Sequence, residues 1–235
     1  MALEPAAEKR KAMIETQLIA RGIRDPAVIA AMYAVPRETF VPPEWIEEAY
    51  DDRPLPIAHG QTISQPYIVA LMTQALLLTP QDRVLEIGTG TGYSAAVLSR
   101  IAAQVYTVER IEPLATSTRN HLRRLEFHNI CVLNGDGSLG WPQYSPYNSI
   151  VVTAGGPSIP TALRDQLAIG GRLVMPVGTS SHGQRLIRLT RQSPTQMDQE
   201  ELVGVRFVPL IGAQGWSHAE AHEQEHDMGS QRDEP

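Results

Sequence analysis

Apolar and polar positions alternate in blocks along the middle of the chain, and these blocks predict strands and helices in turn. Short runs rich in Val, Ile and Leu predict strands at Val84–Ile87, Gln104–Val108, Ile130–Leu133, Tyr147–Val152 and Arg172–Pro176. Helical spacing predicts helices between them at Tyr93–Ile101, Glu112–Leu125 and about Pro160–Leu167. Strands that alternate with helices in this way predict an α/β fold whose parallel sheet carries helices on both faces.

Two further strands are predicted after this region, at Arg185–Arg191 and Glu201–Leu210. Because no helix separates them, we expect them to end the sheet as an antiparallel hairpin. The complete prediction is a doubly wound, mostly parallel seven-stranded sheet of the Rossmann-like kind, formed by residues 81–216.

Residues 1–80 are predicted to form a small helical segment and a loop that pack on the sheet domain. Leu3–Arg21 has an amphipathic pattern, and Asp25–Met32 begins with the Asp-Pro pair that is typical of a helix start. Prolines then break regular structure as far as Gly60–Pro66, a loop dense in Gln, Thr and Ser whose composition favours a functional role. A strongly apolar helix is predicted at Tyr67–Leu78.

Residues 217–235 are predicted to be a flexible tail, since they are polar and lack helix caps. His218, His222 and His226 would share one face if this segment were helical, and such a row could hold a metal ion. No apolar shell supports that arrangement, so the tail is the favoured interpretation and no metal is predicted.

Composition is that of an ordinary globular protein and narrows the choice of partners. Hydrophobic residues make up 42% and the mean hydropathy is -0.20, with no apolar run near the ~20 residues that cross a membrane. The first residues lack the apolar stretch of a secretory signal, and Cys131 is the single cysteine, so we expect a cytoplasmic protein without disulfides. A net charge of -6 gives no basic footprint for nucleic acid. We expect a monomer.

The most informative turn follows the first predicted strand, where Gly88, Gly90 and Gly92 stand at alternate positions. A dinucleotide fingerprint would need glycine where Tyr93 stands. Glu86 also precedes the first glycine, and an acid followed by three alternating glycines resembles the S-adenosylmethionine loop of class I methyltransferases.

Acidic residues end the next two predicted strands. Glu109 follows Gly88 at about the spacing from which a carboxylate reaches a ribose diol, and Asp136 could accept the amino group of an adenine. Since the carboxyl ends of parallel strands meet at one edge of a sheet, these acids predict a shared pocket. A pyrophosphate would be repelled there, so S-adenosylmethionine is the predicted cofactor.

Longer motifs make the resemblance specific. They are Arg37–Glu38 with Phe40–Pro42, Tyr50–Asp51, Pro54–Ile57, Gly60–Pro66, Leu85–Tyr93, Glu109–Arg110, Gly135–Gly137, Val151–Pro160, Gly170–Leu173 and Val205–Leu210. With these residues the chain resembles the protein-L-isoaspartate O-methyltransferase family from about Arg10 to Trp216. The loop before Pro66 and the Phe-Val-Pro segment are the most diagnostic motifs, because many methyltransferases share the glycine-rich turn.

The resemblance implies transfer of a methyl group from S-adenosylmethionine to the α-carboxylate of L-isoaspartyl residues in damaged proteins and peptides, with S-adenosylhomocysteine as product. It implies that Ser64 is catalytic; a capping hydroxyl before Pro66 is the simpler alternative. The residues expected at the cofactor are Gln61, Thr62, Ile63, Glu86, Gly88, Thr89, Gly90, Gly92, Tyr93, Glu109, Arg110, Asp136 and Gly137. Ile211–Ala213 carries no hydroxyl where some members contact the cofactor, so only main-chain contacts are expected there.

Two alternatives remain open. A methyltransferase of the same fold could act on another acceptor, although the acidic pI of about 5.6 disfavours RNA and Thr153–Pro157 replaces the Asn/Asp-Pro-Pro-Tyr motif of amine methylases. A non-catalytic cofactor-binding module is the second alternative, which the retained acids and the Ser64 loop disfavour. An NAD-dependent enzyme fits least, since the glycine pattern and a substrate domain are both missing.

Overall fold

The computed structural model describes residues 3–179 and 183–222. The N-terminal segment is helical: α1 (Leu3–Met13) continues through a π-helical turn (Ile14–Leu18) and a 3-10 turn (Ile19–Arg21). α2 (Pro26–Ala34) follows, and the Asp25 carboxylate caps it by accepting a 2.8 Å hydrogen bond from Ala27 N. An N-cap acid followed by proline is the arrangement that the sequence predicts.

A small hairpin precedes the main sheet. β1 (Leu55–Pro56) pairs antiparallel with β2 (Thr62–Ile63), and the link between them passes through His59 and Gly60, both with positive φ. The chain then enters α3 (Pro66–Ala75), with proline at its first position. The hairpin therefore fixes the segment that leads into Ser64.

The main sheet has seven strands, as the sequence predicts. They are β3 (Arg83–Ile87), β4 (Gln104–Glu109), β5 (Ile130–Asn134), β6 (Tyr147–Val152), β7 (Leu167–Thr179), β8 (Gly183–Arg191) and β9 (Met197–Val205). Their order is β5-β4-β3-β6-β7-β8-β9. The pairs from β5 to β7 are parallel, whereas β8 pairs antiparallel with both β7 and β9. The order reverses beside β3, and this reversal places the ligand-binding crevice of a doubly wound sheet.

Helices cover the sheet between successive parallel strands: α4 (Tyr93–Ser99), α5 (Glu112–Arg124) and α6 (Thr161–Asp165). Alternate strand residues enter opposite cores, because side chains of a strand alternate between its faces. Val84 packs in the core that contains α3 and α4 residues, and Leu85 packs in the core that contains Leu163 of α6.

The N-terminal helices share a third core with the sheet domain. Met13, Leu18 and Met32 are buried together with Leu122 of α5 and with Phe127, which follows α5. Residues on both sides of the predicted boundary at 80 therefore belong to one apolar cluster.

A buried cation lies in this shared core. Arg37 is fully buried and its Nε donates a 2.7 Å hydrogen bond to the carbonyl of Ala49. Its guanidinium lies 4.8 Å from the centre of the Tyr93 ring, a cation–π distance. Burial lowers the pKa of Arg37 to about 10, so it stays charged at neutral pH.

Several predicted boundaries are wrong: β9 begins at Met197 rather than Glu201, β7 extends to Thr179, and α6 ends at Asp165. Three further boundaries differ, two of them for a clear physical reason. β7 runs through Gly170 and Gly171, where the sequence indicates a turn, because an irregularity in its register against β6 absorbs them within the strand. β9 ends at Val205, well before Leu210, because residues after it leave β8 and Pro209 pairs with Gly155 instead. The helix predicted to reach Leu78 ends at Ala75.

The predicted tail is partly structured. Residues 218–222 are helical, and Ser217 and Glu220 cap them reciprocally: Ser217 Oγ donates to the Glu220 carboxylate at 2.7 Å, and Glu220 N donates to Ser217 Oγ at 3.3 Å. Ala221 is only 2% exposed. His226 lies outside the described residues. Within the described ranges no cluster of three or more metal-ligating side chains occurs, and no helix there is long and apolar enough to span a membrane.

Candidate active site

Two adjoining cavities lie at the carboxyl end of the sheet, where β3, β4 and β6 finish. The large cleft has a volume of about 1040 Å3, and the small pocket has a volume of about 80 Å3. Among the described residues, five line both cavities, namely Thr62, Gly88, Gly90, Thr153 and Val208. The two cavities are therefore parts of one site, at the edge where parallel sheets bind their ligands.

The glycine-rich turn from Gly88 to Gly92 forms the shared wall. Gly88 has a φ of +94°, and a Cβ there would lie 2.4 Å from Thr153 Oγ1. Thr153 Oγ1 lies 2.8 Å from the Gly88 carbonyl oxygen and 3.0 Å from that of Ile87, so its hydroxyl holds the turn. Gly92 has a φ of +88°, and a Cβ there would lie 2.8 Å from Thr118 Cγ2 on α5. Glycine is required at both positions by backbone conformation and by close contact.

Glu109 ends β4 at the small pocket, and main-chain amides fix its carboxylate. Gly90 N donates to Oε2 and Ile111 N donates to Oε1, each at 3.0 Å. Arg110 lines the same pocket. Carboxylate oxygens keep further lone pairs, so a carboxylate held this way can accept hydrogen bonds from the vicinal hydroxyls of a ribose.

The remaining walls of the small pocket fit the base of a nucleoside. They are mostly apolar and come from Ile87, Val108, Ile111, Ala154, Val208, Pro209, Leu210 and Ile211. Gly137 also lines the pocket, and a Cβ there would lie 2.4 Å from Ile87 Cγ2. Apolar walls beside a fixed carboxylate suit adenosine, which has no phosphate to be repelled.

A chain of buried polar side chains lies beneath the glycine-rich turn. Thr107 Oγ1 donates to Glu86 Oε2 at 2.6 Å, and the hydroxyls of Thr89 and Thr107 are 2.7 Å apart. Glu86 is fully buried, and its Oε1 has no hydrogen-bond partner among the described residues. Burial raises the pKa of Glu86 to about 7, although the hydroxyls of Thr107 and Ser94 oppose the shift.

Ser64 lies on the wall of the large cleft, between β2 and α3. Its hydroxyl makes no hydrogen bond within residues 3–179 and 183–222, and the residue at the start of α3 is Gln65, without a side-chain cap. Gln65 instead donates to the Asp52 carbonyl at 3.0 Å. The capping interpretation of Ser64 is therefore wrong, and its hydroxyl is available to a ligand.

The opposite wall of the large cleft comes from the end of the sheet. Arg185 lies on β8, and Arg206 and Phe207 follow β9. Within the described part of the chain the lining has these two arginines but no carboxylate, histidine or lysine. Three of these lining residues are not predicted from the sequence, namely Arg185, Arg206 and Thr153. Arg206 and Thr153 nevertheless stand in motifs that carry the family resemblance.

Most of the predicted site residues meet in this one site. Those that line one cavity or both are Gln61, Thr62, Ile63, Ser64, Gly88, Thr89, Gly90, Tyr93, Glu109, Arg110 and Gly137. Glu86, Gly92 and Asp136 line neither cavity. The carboxylates of Glu86 and Asp136 are hydrogen-bonded within the protein, and the Gly92 backbone packs against α5.

The Asp136 carboxylate accepts three hydrogen bonds within the protein, two from main-chain amides and one from a hydroxyl. Ser138 N and Ser138 Oγ donate to its Oδ1 at 2.9 and 2.7 Å, and Ala213 N donates to Oδ2 at 2.7 Å. A Cβ at Gly212 would lie 2.1 Å from the same carboxylate. Asp136 thus holds the 211–214 segment against the small pocket, where Ile211 forms part of the wall.

A sheet in this order, with an antiparallel hairpin at one end and a small pocket with a fixed carboxylate beside β3 and β4, is the sheet of a Rossmann-like methyltransferase that uses S-adenosylmethionine. The family model described as protein-L-isoaspartate(D-aspartate) O-methyltransferase matches residues 8–215. The chain belongs to this family.

Relatives and solved structures agree with this assignment. Protein-L-isoaspartate O-methyltransferase 2 of Pelobacter propionicus is 61% identical over 208 residues, which are 88% of this chain and 92% of that protein. A solved protein-L-isoaspartate O-methyltransferase is 30% identical with a TM-score of 0.80, over 88% of this chain and 67% of that one. A putative one from Plasmodium falciparum, in complex with S-adenosyl-L-homocysteine, is 26% identical with a TM-score of 0.75, over 86% of this chain and 98% of that one.

Proposed function

We propose that this chain transfers a methyl group from S-adenosylmethionine to the α-carboxylate of L-isoaspartyl residues in damaged proteins and peptides. Family membership supports the reaction. The observation that carries it within the site is the lining of the large cleft: among the described residues, the Ser64 hydroxyl there makes no hydrogen bond, and the charged side chains are two arginines with no carboxylate. Such a lining favours an anionic acceptor.

The chemistry needs little from the protein beyond positioning. An acceptor carboxylate with a pKa of about 4 is already ionised at neutral pH, so no general base is required. S-adenosylmethionine supplies a methyl group that is activated by its sulfonium. Ser64 donates a hydrogen bond that orients the attacking carboxylate oxygen, and the glycine-rich turn and Thr153 keep the shared wall rigid.

The small pocket is proposed to hold the nucleoside part of the cofactor. Glu109 would accept from the ribose hydroxyls, with Gln61, Arg110 and Gly137 on the walls. Thr62, Gly88 and Gly90 line both cavities and would contact both parts of the cofactor. Thr89, Ile63 and Tyr93 line the large cleft beside it.

Repair would follow from the product ester. Methylation turns the carboxylate into an ester with a good leaving group, so the neighbouring backbone nitrogen attacks the ester carbonyl and expels methanol without the enzyme. Hydrolysis of the resulting succinimide returns part of the material as normal aspartyl peptide. We further propose a cytoplasmic monomer that uses no nucleic-acid partner, in keeping with the acidic charge.

The test uses radiolabelled S-adenosylmethionine with two peptides that differ only in whether one residue is isoaspartyl or aspartyl. We expect label in the isoaspartyl peptide alone, and loss of that label as methanol at alkaline pH. Equal labelling of both peptides would indicate another acceptor, and labelling of neither with intact cofactor binding would indicate a non-catalytic module.

A further inference from the structure

A buried series of side-chain hydrogen bonds runs from Glu86 through Thr107 to Thr89 and connects a carboxyl group to the wall of the large cleft. We call this series the hydrogen-bond chain. Glu86 and Thr107 are fully buried and stand opposite each other on β3 and β4, and Thr89 is 3% exposed in the glycine-rich turn. Thr89 lines the cleft, whereas Glu86 and Thr107 do not. Neither Glu86 nor Thr107 therefore touches a ligand.

Each threonine hydroxyl has only one hydrogen to donate, and this fixes the direction of the whole chain. When Glu86 is ionised it can only accept, so Thr107 donates to it at 2.6 Å. Thr107 has then used its hydrogen, so across the 2.7 Å contact the donor must be Thr89. The Thr89 oxygen is left with lone pairs and no hydrogen, so toward the cleft it is only an acceptor.

When Glu86 Oε2 carries a proton, the donor and acceptor exchange roles in both hydrogen bonds. The carboxylic acid then donates to Thr107, Thr107 donates to Thr89, and Thr89 is free to donate its own hydrogen toward the cleft. We propose that Glu86 and Thr107 are positioning residues whose proton sets Thr89 to accept from, or donate to, the methionine end of the bound cofactor. The inference rests on the proposed function for its ligand.

When Glu86 is ionised, the Thr89 oxygen is an acceptor, and this suits the α-ammonium group of the cofactor, which can only donate. In the proposed function the nucleoside lies in the small pocket, which Glu109 and Arg110 line, and the methionine end extends toward Thr89 in the large cleft. When Glu86 is protonated, the Thr89 hydroxyl would instead point its hydrogen at the ammonium group, which is also a donor. Binding should therefore favour ionised Glu86 and release its proton.

The surroundings of Glu86 allow both states. Among the described residues, ionised Glu86 accepts one hydrogen bond, from Thr107, and its Oε1 accepts none, so the nearby Ser94 hydroxyl offsets only part of the cost of burying the charge. The groups that face it are the Ser94 hydroxyl from α4, Thr107 from β4, Val151 across β6, and the charge of Glu109, which raises its pKa. Burial, the largest cause, brings this pKa to about 7, so the proton is exchanged near neutral pH.

The test measures binding rather than turnover. Calorimetry between pH 6 and 8 compares S-adenosylhomocysteine with methylthioadenosine, which has the same nucleoside but no ammonium group. With a pKa of about 7 in the free enzyme and a lower one in the complex, the affinity for S-adenosylhomocysteine should rise about tenfold over this range. Affinity for methylthioadenosine should stay flat. Titrations at pH 6.5 in buffers of different ionisation enthalpy should detect proton release with the first ligand only.

Variants distinguish control of Thr89 by the Glu86 proton from a purely structural role of Glu86 and Thr107. Glu86→Gln cannot titrate, and Thr107→Val breaks the chain, so both should abolish the pH dependence and the proton release. Thr107→Ser keeps the hydroxyl and should retain them, which also controls for folding. Proton release that persists in Thr107→Val, or an equal pH dependence for methylthioadenosine, would overturn the proposal. Failure of isoaspartyl labelling would contradict the proposed function and leave these binding results unaffected.

Discussion

The small pocket and the large cleft share a wall but are built in different ways. The small pocket, about 80 Å3, is made by the ends of neighbouring strands, and main-chain amides hold its carboxylate. The large cleft, about 1040 Å3, is closed by segments far apart in sequence, from the 60–65 loop to the end of the sheet near 204–208. A rigid pocket suits a ligand whose chemical structure is the same in every reaction. A wide cleft with side-chain walls suits ligands whose structure differs from one reaction to the next.

The largest expected effect comes from breaking the wall that both cavities share. Gly88→Ala combines a φ of +94° with a Cβ 2.4 Å from Thr153 Oγ1. Backbone strain of about 1–3 kcal/mol and the clash add up, so affinity for S-adenosylhomocysteine should fall by more than about 100-fold in calorimetry. Gly170→Ala is the control, since its φ is +80° but nothing lies within 4 Å. Wild-type affinity in Gly88→Ala would show that the turn is not a ligand wall.

Next comes a change confined to the large cleft. Ser64→Ala removes one hydrogen bond to a charged acceptor, worth about 1.5–3 kcal/mol, so turnover with an isoaspartyl peptide should drop about 10- to 100-fold. Affinity for S-adenosylhomocysteine should stay within about twofold, because Ser64 does not line the small pocket. Ser145→Ala, at a serine outside both cavities, should match wild type. Unchanged turnover in Ser64→Ala would remove this residue from the mechanism.

The reciprocal change is confined to the small pocket. Glu109→Gln removes the carboxylate charge, and affinity for S-adenosylhomocysteine should fall about tenfold, as expected for a weakened charge-assisted hydrogen bond. Turnover at saturating cofactor should change little, which is the opposite pattern to that of Ser64→Ala. Glu112→Gln, on the neighbouring α5, serves as the control. If Glu109→Gln and Ser64→Ala gave the same kinetic pattern, the division into two parts would be wrong.

The smallest effect is expected at the rim of the large cleft. Arg185 pairs with Glu201, and both side chains are more than half exposed, so the pair adds little to stability. Arg185→Gln should raise the KM for isoaspartyl peptides with acidic neighbours about two- to threefold, and leave peptides with neutral neighbours unchanged. A uniform change across peptides would assign Arg185 to structure rather than to preference.

The pattern of the sequence predicts the sheet and the small pocket well, for a physical reason. Parallel strands must end at one edge, so residues at strand ends such as Glu109 meet there whatever the details of the loops. The seven strands and the final hairpin are confirmed by the observed order.

The pattern of apolar and polar residues does not predict the direction in which a side chain points. Asp136 also ends a strand, but its carboxylate turns to the amide of Ala213, about 77 positions away along the chain. Arg185 enters the cleft because β8 folds back on β7, and its place depends on that long-range pairing. Gly170 and Gly171 favour a turn locally, yet they lie within β7. The strand pairs with β6 on both sides of them, and a shift in register accommodates the two glycines.

The apolar cluster shared between the N-terminal helices and the sheet domain has a consequence for protein synthesis. Met32 leaves the ribosome long before Phe127, its companion in the same core. At about 5–20 residues per second, the first two helices wait roughly 5–20 seconds for the residues that bury them. The nascent chain therefore exposes its N-terminal apolar surface longest, and this surface is where we expect a ribosome-associated chaperone to engage it.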